Sequence, residues 1–282
     1  MMRSALLLAV LLGGTAAFGQ TPPRVIADVG FVGSECVRYD AAADRYLVSN
    51  LNGADPGFVS IVTAEGVVEK LKWIDGAGSG LRDPLGLFIA GDRVYLADVD
   101  TVRVYDRRTG APASAIVVAG AKRLNDLFVT TDGTIYVTDS GAPDQPGALF
   151  RISTRGKVSA WVARDDALEK PNGIAMLPDG TIVHGGRGVN LVFRNAAGRV
   201  LRERSLPTGR IDGIVPLADN SLLVASQDGH VVYHVAPNNG PITVVAKDVE
   251  IPAAIGYDPK RNRLLVPQIR AASLTFVDLP KR

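Results

Sequence analysis

A short β-rich run recurs six times along the 282-residue chain. The copies are Tyr46-Leu47-Val48-Ser49-Asn50, Val94-Tyr95-Leu96-Ala97-Asp98, Ile135-Tyr136-Val137-Thr138-Asp139, Thr181-Ile182-Val183-His184-Gly185, Leu222-Leu223-Val224-Ala225-Ser226 and Leu264-Leu265-Val266-Pro267-Gln268. Their central residues are 48, 96, 137, 183, 224 and 266, giving spacings of 48, 41, 46, 41 and 42. A period in the low forties is the length of a four-stranded propeller blade, a unit that buries its apolar faces only by stacking on its neighbours. Each run follows a hairpin signal, among them Gly91-Asp92, Asp132-Gly133 and Asp179-Gly180. Third strands follow, as in Val102-Arg103-Val104-Tyr105, and fourth strands, as in Val158-Ser159-Ala160-Trp161. No stretch sustains a helical apolar period beyond one or two turns, so the class is all-β.

The sixth repeat lacks a fourth strand, because the chain ends soon after Leu274-Thr275-Phe276-Val277-Asp278. Before the first repeat lies a spare strand, Arg24-Val25-Ile26-Ala27-Asp28-Val29. Pairing the two would close the ring and remove the free edge. The expected architecture is a single six-bladed β-propeller over residues 24–279, its last blade closed by the N-terminal strand. A β-sandwich with a separate domain explains neither the period nor the spare strand.

Residues 1–19 read as a secretory signal peptide, with Arg3, an apolar centre from Ala5 to Ala17, and the small-x-small site Ala17-Phe18-Gly19. The apolar run falls short of the ~20 residues needed to span a bilayer. The expectation is an exported chain, periplasmic or secreted, with no membrane association after cleavage, and monomeric. A net charge of +2, spread without a basic stripe, argues against nucleic acid as a partner. Cys36 is the only cysteine, so no internal disulfide exists, and it reads as a small buried apolar residue.

Counting back 11–13 residues from each run's centre reaches the opening of the innermost strand of its blade. These positions hold Glu35, Leu85, Asn125, Asn172, Asp212 and the pair Ala253-Ala254. Innermost strands line a propeller's channel, so Glu35, Asn125, Asn172 and Asp212 should converge on the axis from four blades. Two carboxylates and two amide carbonyls make an all-oxygen site of formal charge −2. That composition suits a hard divalent cation, Ca²⁺ first, with Mg²⁺, Mn²⁺ or Zn²⁺ as alternatives. Any one of these residues alone would read as a turn former; the information lies in four at equivalent positions.

Ser34-Glu35-Cys36-Val37, Arg123-Leu124-Asn125-Asp126, Pro171-Asn172-Gly173 and Ile211-Asp212-Gly213 resemble the four metal-binding stations of the senescence marker protein-30/regucalcin/gluconolactonase-like propellers. Paraoxonases and the squid-type phosphotriesterase use a similar cluster. The resemblance implies a calcium-type metal on Glu35, Asn125, Asn172 and Asp212, and hydrolysis of a small lactone or related ester. It implies that Asp212 is the base or nucleophile and that Arg123 holds the substrate's polar end. The first station departs from the family, where Glu-Gly-Pro-x-Trp is usual and this chain has Glu35-Cys36-Val37-Arg38-Tyr39.

On this reading the cation polarises the carbonyl and Asp212 accepts a proton from the attacking water. Asp126 would hydrogen-bond a ligand side chain and orient it. The chain has no Gly-x-Ser-x-Gly elbow and its cysteine has no evident base, which argues against a serine or cysteine hydrolase. Antiparallel threading puts the loops after the six runs at the same mouth, with Asn50, Asp98, Asp139, Arg187 and Gln268 as candidate substrate neighbours. His184 and His234 fall off the axis, and His230 lies nearest the mouth. The alternative function is a non-catalytic binding propeller whose metal only plugs the channel.

Overall fold

The structure, a computed structural model, describes residues 22–280. The proposed signal peptide, residues 1–19, lies outside them. Six four-stranded antiparallel sheets follow one another around an axis. Five are consecutive in sequence. In the sixth, Arg24–Ile26 pairs with Ser273–Asp278 in the register Arg24↔Phe276, Ile26↔Leu274. The first and last segments thus share a blade, as the spare strand implies.

The inner strands are Ser34–Asp40, Pro84–Ala90, Leu124–Val129, Ile174–Met176, Ile211–Pro216 and Gly256–Asp258. The recurring runs are the second strands, and neighbouring blades cover both of their faces. That is why Ile135–Asp139 and Leu222–Ser226 are buried at every position and carry few charges. Fourth strands face solvent on the rim, and sequences such as Val200–Ser205 (VLRERS) place charges along that edge.

Side chains from adjacent blades interdigitate in separate clusters. Val183, Leu191 and Phe193 of the fourth blade pack on Ile214, Leu222 and Val224 of the fifth. The closing seam buries Ile26 and Phe276 with Tyr46, Val48 and Leu265. On the hairpin face, the Tyr46 hydroxyl donates to Asp258 at 2.7 Å, and Arg261 bridges Asp44 and Asp258. Among the described residues no helix is long and apolar enough to cross a membrane.

Near the axis the blades approach so closely that some positions admit no side chain. A Cβ added to Gly173 would stand 3.0 Å from the Asp212 carbonyl carbon and closer still to its oxygen. One added to Gly86 would lie 2.6 Å from the Asn125 carbonyl oxygen. Cys36 occupies the matching place in the first blade, fully buried and accepting from Leu87 N–H at 3.3 Å. Its thiol is pushed up to about 12, chiefly by burial, which leaves it an inert packing group.

Candidate functional site

Glu35, Asn125, Asn172 and Asp212, one from each of four blades, line one cavity of about 590 Å³. Regular inner-strand pairing starts beyond the ring position in the fourth blade. There Asn172 is fixed instead by its N–H donating to Gly185 O at 2.8 Å and by Thr138 donating to its carbonyl at 2.6 Å. In the third and fifth blades the inner strand shifts register between residues 124 and 127 and between 211 and 214. Such irregularities re-aim side chains, here those of Asn125 and Asp212.

The amide nitrogens of the ring are occupied, whereas one oxygen each of Asn172 and Asp212 is not. Asn125 Nδ2 donates to Ser140 Oγ at 3.0 Å, and Ser140 donates in turn to Pro171 O at 2.7 Å. Asn172 Nδ2 donates to Asp212 Oδ2 at 3.1 Å, and Gln227 Nε2 donates to the same oxygen at 2.7 Å. Asn172 Oδ1 and Asp212 Oδ1 are buried with no partner. No hydrogen bond or ion pair from a described residue reaches the Glu35 carboxylate, although Glu35 is only 4% exposed. Buried polar atoms without partners cost roughly 1–3 kcal/mol each, more when charged.

The electrostatics agree. The Glu35 carboxyl is raised well above the usual range, first by burial, then by Asp212, with Arg123 opposing. Asp212 is pushed up to about 7 by burial and by Asp126, against the Asn172 hydrogen bond, Arg38 and Arg210. Two buried acids whose pKa values stay raised despite Arg123, Arg38 and Arg210 are what a bound cation would relieve. The unpartnered Asn172 Oδ1 and Asp212 Oδ1, with the Glu35 carboxylate and Asn125 amide lining the same cavity and no nitrogen or sulfur ligand in the set, fit a hard divalent ion.

Beneath this layer Asp126 is fully buried. It does not hydrogen-bond a ring side chain, contrary to the sequence expectation. Its carboxylate accepts from the backbone N–H of Leu127 (2.9 Å) and of Ile174 (3.4 Å), and pairs with Arg38 Nη2 at 3.3 Å. Arg38 reaches across the channel from the first blade and also donates to Ile255 O at 2.8 Å. The pair thus ties the first, third, fourth and sixth blades together below the ring. The only sequence signal for Arg38 is a charge on an inner strand whose counterparts, such as Pro84–Ala90, are apolar.

The mouth is formed by the loops that antiparallel threading implies, including Ser140 to Pro143 and Gly186-Arg187, together with the segments leading into inner strands, where Arg123, Lys170 and Arg210 stand. Of the five candidate substrate neighbours only Arg187 lines it. Asp98 accepts from the N–H groups of Arg82 and Asp83, and Asp139 from those of Lys122, Arg123 and Gly141. Asn50 accepts from Val32 N–H and Gln268 from Glu250 N–H. These four ends of second strands are staples holding the backbone that leads into their own blade's inner strand. His184 is off the axis, accepting from Arg194 Nε at 2.9 Å, and burial lowers its pKa to about 3. Neither His230 nor His234 lines the cavity. Gln227, Ser140, Lys170 and Arg210 are site residues the repeat pattern does not mark.

Solved structures with this architecture are numerous. A gluconolactonase from Xanthomonas campestris shares 20% identity over 92% of this chain and 90% of its own, with a TM-score of 0.71. The calcium-binding protein regucalcin from Agrobacterium tumefaciens shares 17% over 92% and 94%, with a TM-score of 0.70. A virginiamycin B lyase from Staphylococcus aureus shares 12% over 92% and 99%, with a TM-score of 0.63. At these identities the likeness is one of fold. No curated protein sequence matches the chain. The family model described as the SMP-30/Gluconolactonase/LRE-like region matches residues 34–270, a span that holds all four ring residues, and the chain belongs to that family.

Proposed function

We propose that the protein is a metal-dependent hydrolase of lactones or related esters, with a divalent cation of the Ca²⁺ type held by Glu35, Asn125, Asn172 and Asp212. The observation that carries this is the convergence of oxygen-bearing side chains from four blades on the floor of one open pocket, two of whose buried oxygens, Asn172 Oδ1 and Asp212 Oδ1, have no partner. The fold likeness to a gluconolactonase and to a calcium-binding regucalcin supports the same reading. Bound there, the cation would polarise the ester carbonyl and stabilise charge developing on its oxygen.

The protein's own groups divide the remaining work. Gln227 and Asn172 hold Asp212 by one carboxylate oxygen and fix its orientation. Asp212 takes a proton from water as the water oxygen bonds to the acyl carbon; the acyl–oxygen bond then breaks, and the leaving alkoxide recovers the proton. Ser140 keeps the Asn125 amide turned so that its oxygen faces the pocket. Arg123, on the wall, positions the substrate's polar end. Asp126 and Arg38 brace the floor. Export of a monomeric chain after cleavage at residue 19 belongs to the same reading.

The test is a screen of lactones, aryl esters and phosphotriesters, with and without chelator, and with Asp212→Asn. Wild type with metal should turn over at least one class with gain of one water, while the chelated protein and the variant should not. A product lacking the added water would point to elimination instead. Equal inactivity of all three samples, with metal still bound, would favour the non-catalytic binding propeller.

A further inference from the structure

The ring accounts for the floor of the pocket and leaves its wall unexplained. Four cations, Arg123, Lys170, Arg187 and Arg210, line the same cavity, whose only lining carboxylates among the described residues are Glu35 and Asp212. A divalent cation offsets those two acids, so the wall charge is surplus to the ring. Lys170 is committed, because its ammonium donates to the carbonyls of Ala142 and Gln145. Arg123 stands between this cavity and a smaller one that Asp83 lines, and it lowers the pKa of both Glu35 and Asp83.

Arg187 has no comparable task, and Arg210 acts on the Asp212 carboxyl less than the Asn172 hydrogen bond and Arg38 do. Neither guanidinium donates a hydrogen bond to a described residue. Asp228 lies 3.8 Å from Arg210 Nε with both side chains about half exposed, a pairing of little strength. Glu169, which packs against Gly188, forms no ion pair with either. Yet the fold brings the two together. Arg210 N–H donates to Arg187 O at 3.1 Å and Ile211 N–H to Gly186 O at 2.8 Å, so the two loops run side by side between the fourth and fifth blades. The neighbouring residues Gly185, Gly186, Gly188 and Gly209 bear no side chains, which leaves the guanidiniums as the chemistry of this rim. Arg210 also holds a φ of +51°, a conformation that glycine adopts at less cost.

We propose that the substrate carries a second anionic group, a carboxylate or a phosphate, which Arg187 and Arg210 clamp while the ester carbonyl faces the ring. This rests on the hydrolytic reading above. Guanidinium forks match both oxyanions in geometry and charge. Any lactone becomes anionic on opening, so the distinguishing property is a negative group present before the ring opens.

The probes are γ-butyrolactones substituted, at the carbon bearing the ring oxygen, with carboxylate, phosphoryloxymethyl or neutral hydroxymethyl. One charged lactone should exceed the neutral one in kcat/KM by about ten- to a hundredfold, and the better of the two names the anion. Arg187→Gln and Arg210→Gln should each shrink that ratio toward one, and Arg187→Lys should restore part of it, with metal content measured on the same samples. A readout apart from turnover is calorimetric binding of 2-hydroxyglutarate against 4,5-dihydroxypentanoate, the open forms of the carboxylate and hydroxymethyl lactones. The first should bind at least about tenfold tighter to wild type, and lose that advantage in the double Gln variant. Equal rates and equal affinities in wild type overturn the proposal and leave hydrolysis standing. Selective dicarboxylate binding without hydrolysis of any lactone removes the hydrolytic reading and keeps the anion clamp. Absence of both removes the two together.

Discussion

Gly173→Ala is the sharpest test of how the ring is held, because the new methyl meets backbone and not a side chain that can swing away. The added Cβ would lie 3.0 Å from the Asp212 carbonyl carbon and nearer its oxygen, and also 3.2 Å from Ile214 Cγ1. The inner strands of the fourth and fifth blades must therefore separate, at the point where Asn172 and Asp212 share a 3.1 Å hydrogen bond. Overpacking of this kind costs about 1–3 kcal/mol, and losing an amide–carboxylate hydrogen bond adds about 1.5–3 kcal/mol. Because part of the second term is relieved by the same movement, a loss of about 2–4 kcal/mol in unfolding free energy is expected. Calcium affinity should fall as well, since two of the four oxygens move apart. Gly78→Ala is the control: its Cβ meets nothing within 4 Å, it sits in the short helix Gly76–Ser79, and its backbone needs no positive φ. Urea denaturation with and without Ca²⁺, together with calorimetry, reads both effects. Wild-type affinity and stability within about 0.5 kcal/mol for Gly173→Ala would refute the close-approach argument.

Two further outcomes follow from the same geometry and one from the N-terminal sequence. Glu35 and Asp212 have folded-state pKa values above their unfolded ones, so the stability they contribute to the metal-free protein is fully present below about pH 4 and is lost as pH rises toward about 7, whereas the buried neutral His184 opposes that trend by destabilising the protein as pH falls below about 6.5. Excess Ca²⁺ should flatten that decline, and an unchanged slope in denaturation midpoints would count against the ring as a cation site. Asp126→Ala should cost about 3–5 kcal/mol by stranding Arg38 in a buried setting, whereas the double change Asp126→Ala with Arg38→Met should recover much of it; additive losses in the cycle would contradict the pairing. Under the proposed export, the chain should begin at Gln20, which N-terminal sequencing reads directly; a chain retaining Arg3 would contradict cleavage.

The repeat is legible in sequence because neighbouring blades cover each second strand on both faces. Runs such as Leu222–Ser226 must be apolar throughout, and a period of blade length follows. The ring is legible for a related reason: equal position along equivalent strands brings Glu35, Asn125, Asn172 and Asp212 to one level of the channel. Asp98 and Asp139 mislead because a carboxylate at a mouth loop looks like a substrate contact. In the fold they satisfy backbone N–H groups that the lead-in segments would otherwise bury unpaired. Gln227 is invisible because its partner, Asp212, lies fifteen residues away and meets it only through the turn of the fifth blade. Arg210 and Lys170 escape because they sit in loops at φ of +51° and +56°, where no strand period locates a side chain.

Whether four blades jointly present oxygens to one cation is read without intermediary by a crystal structure of the protein soaked in Ca²⁺. A single ion bonded to Glu35, Asn125, Asn172 and Asp212 at about 2.3–2.6 Å is expected, with its remaining ligands waters on the pocket side. A ring that stays empty at saturating Ca²⁺, or an ion bound elsewhere, would contradict that arrangement.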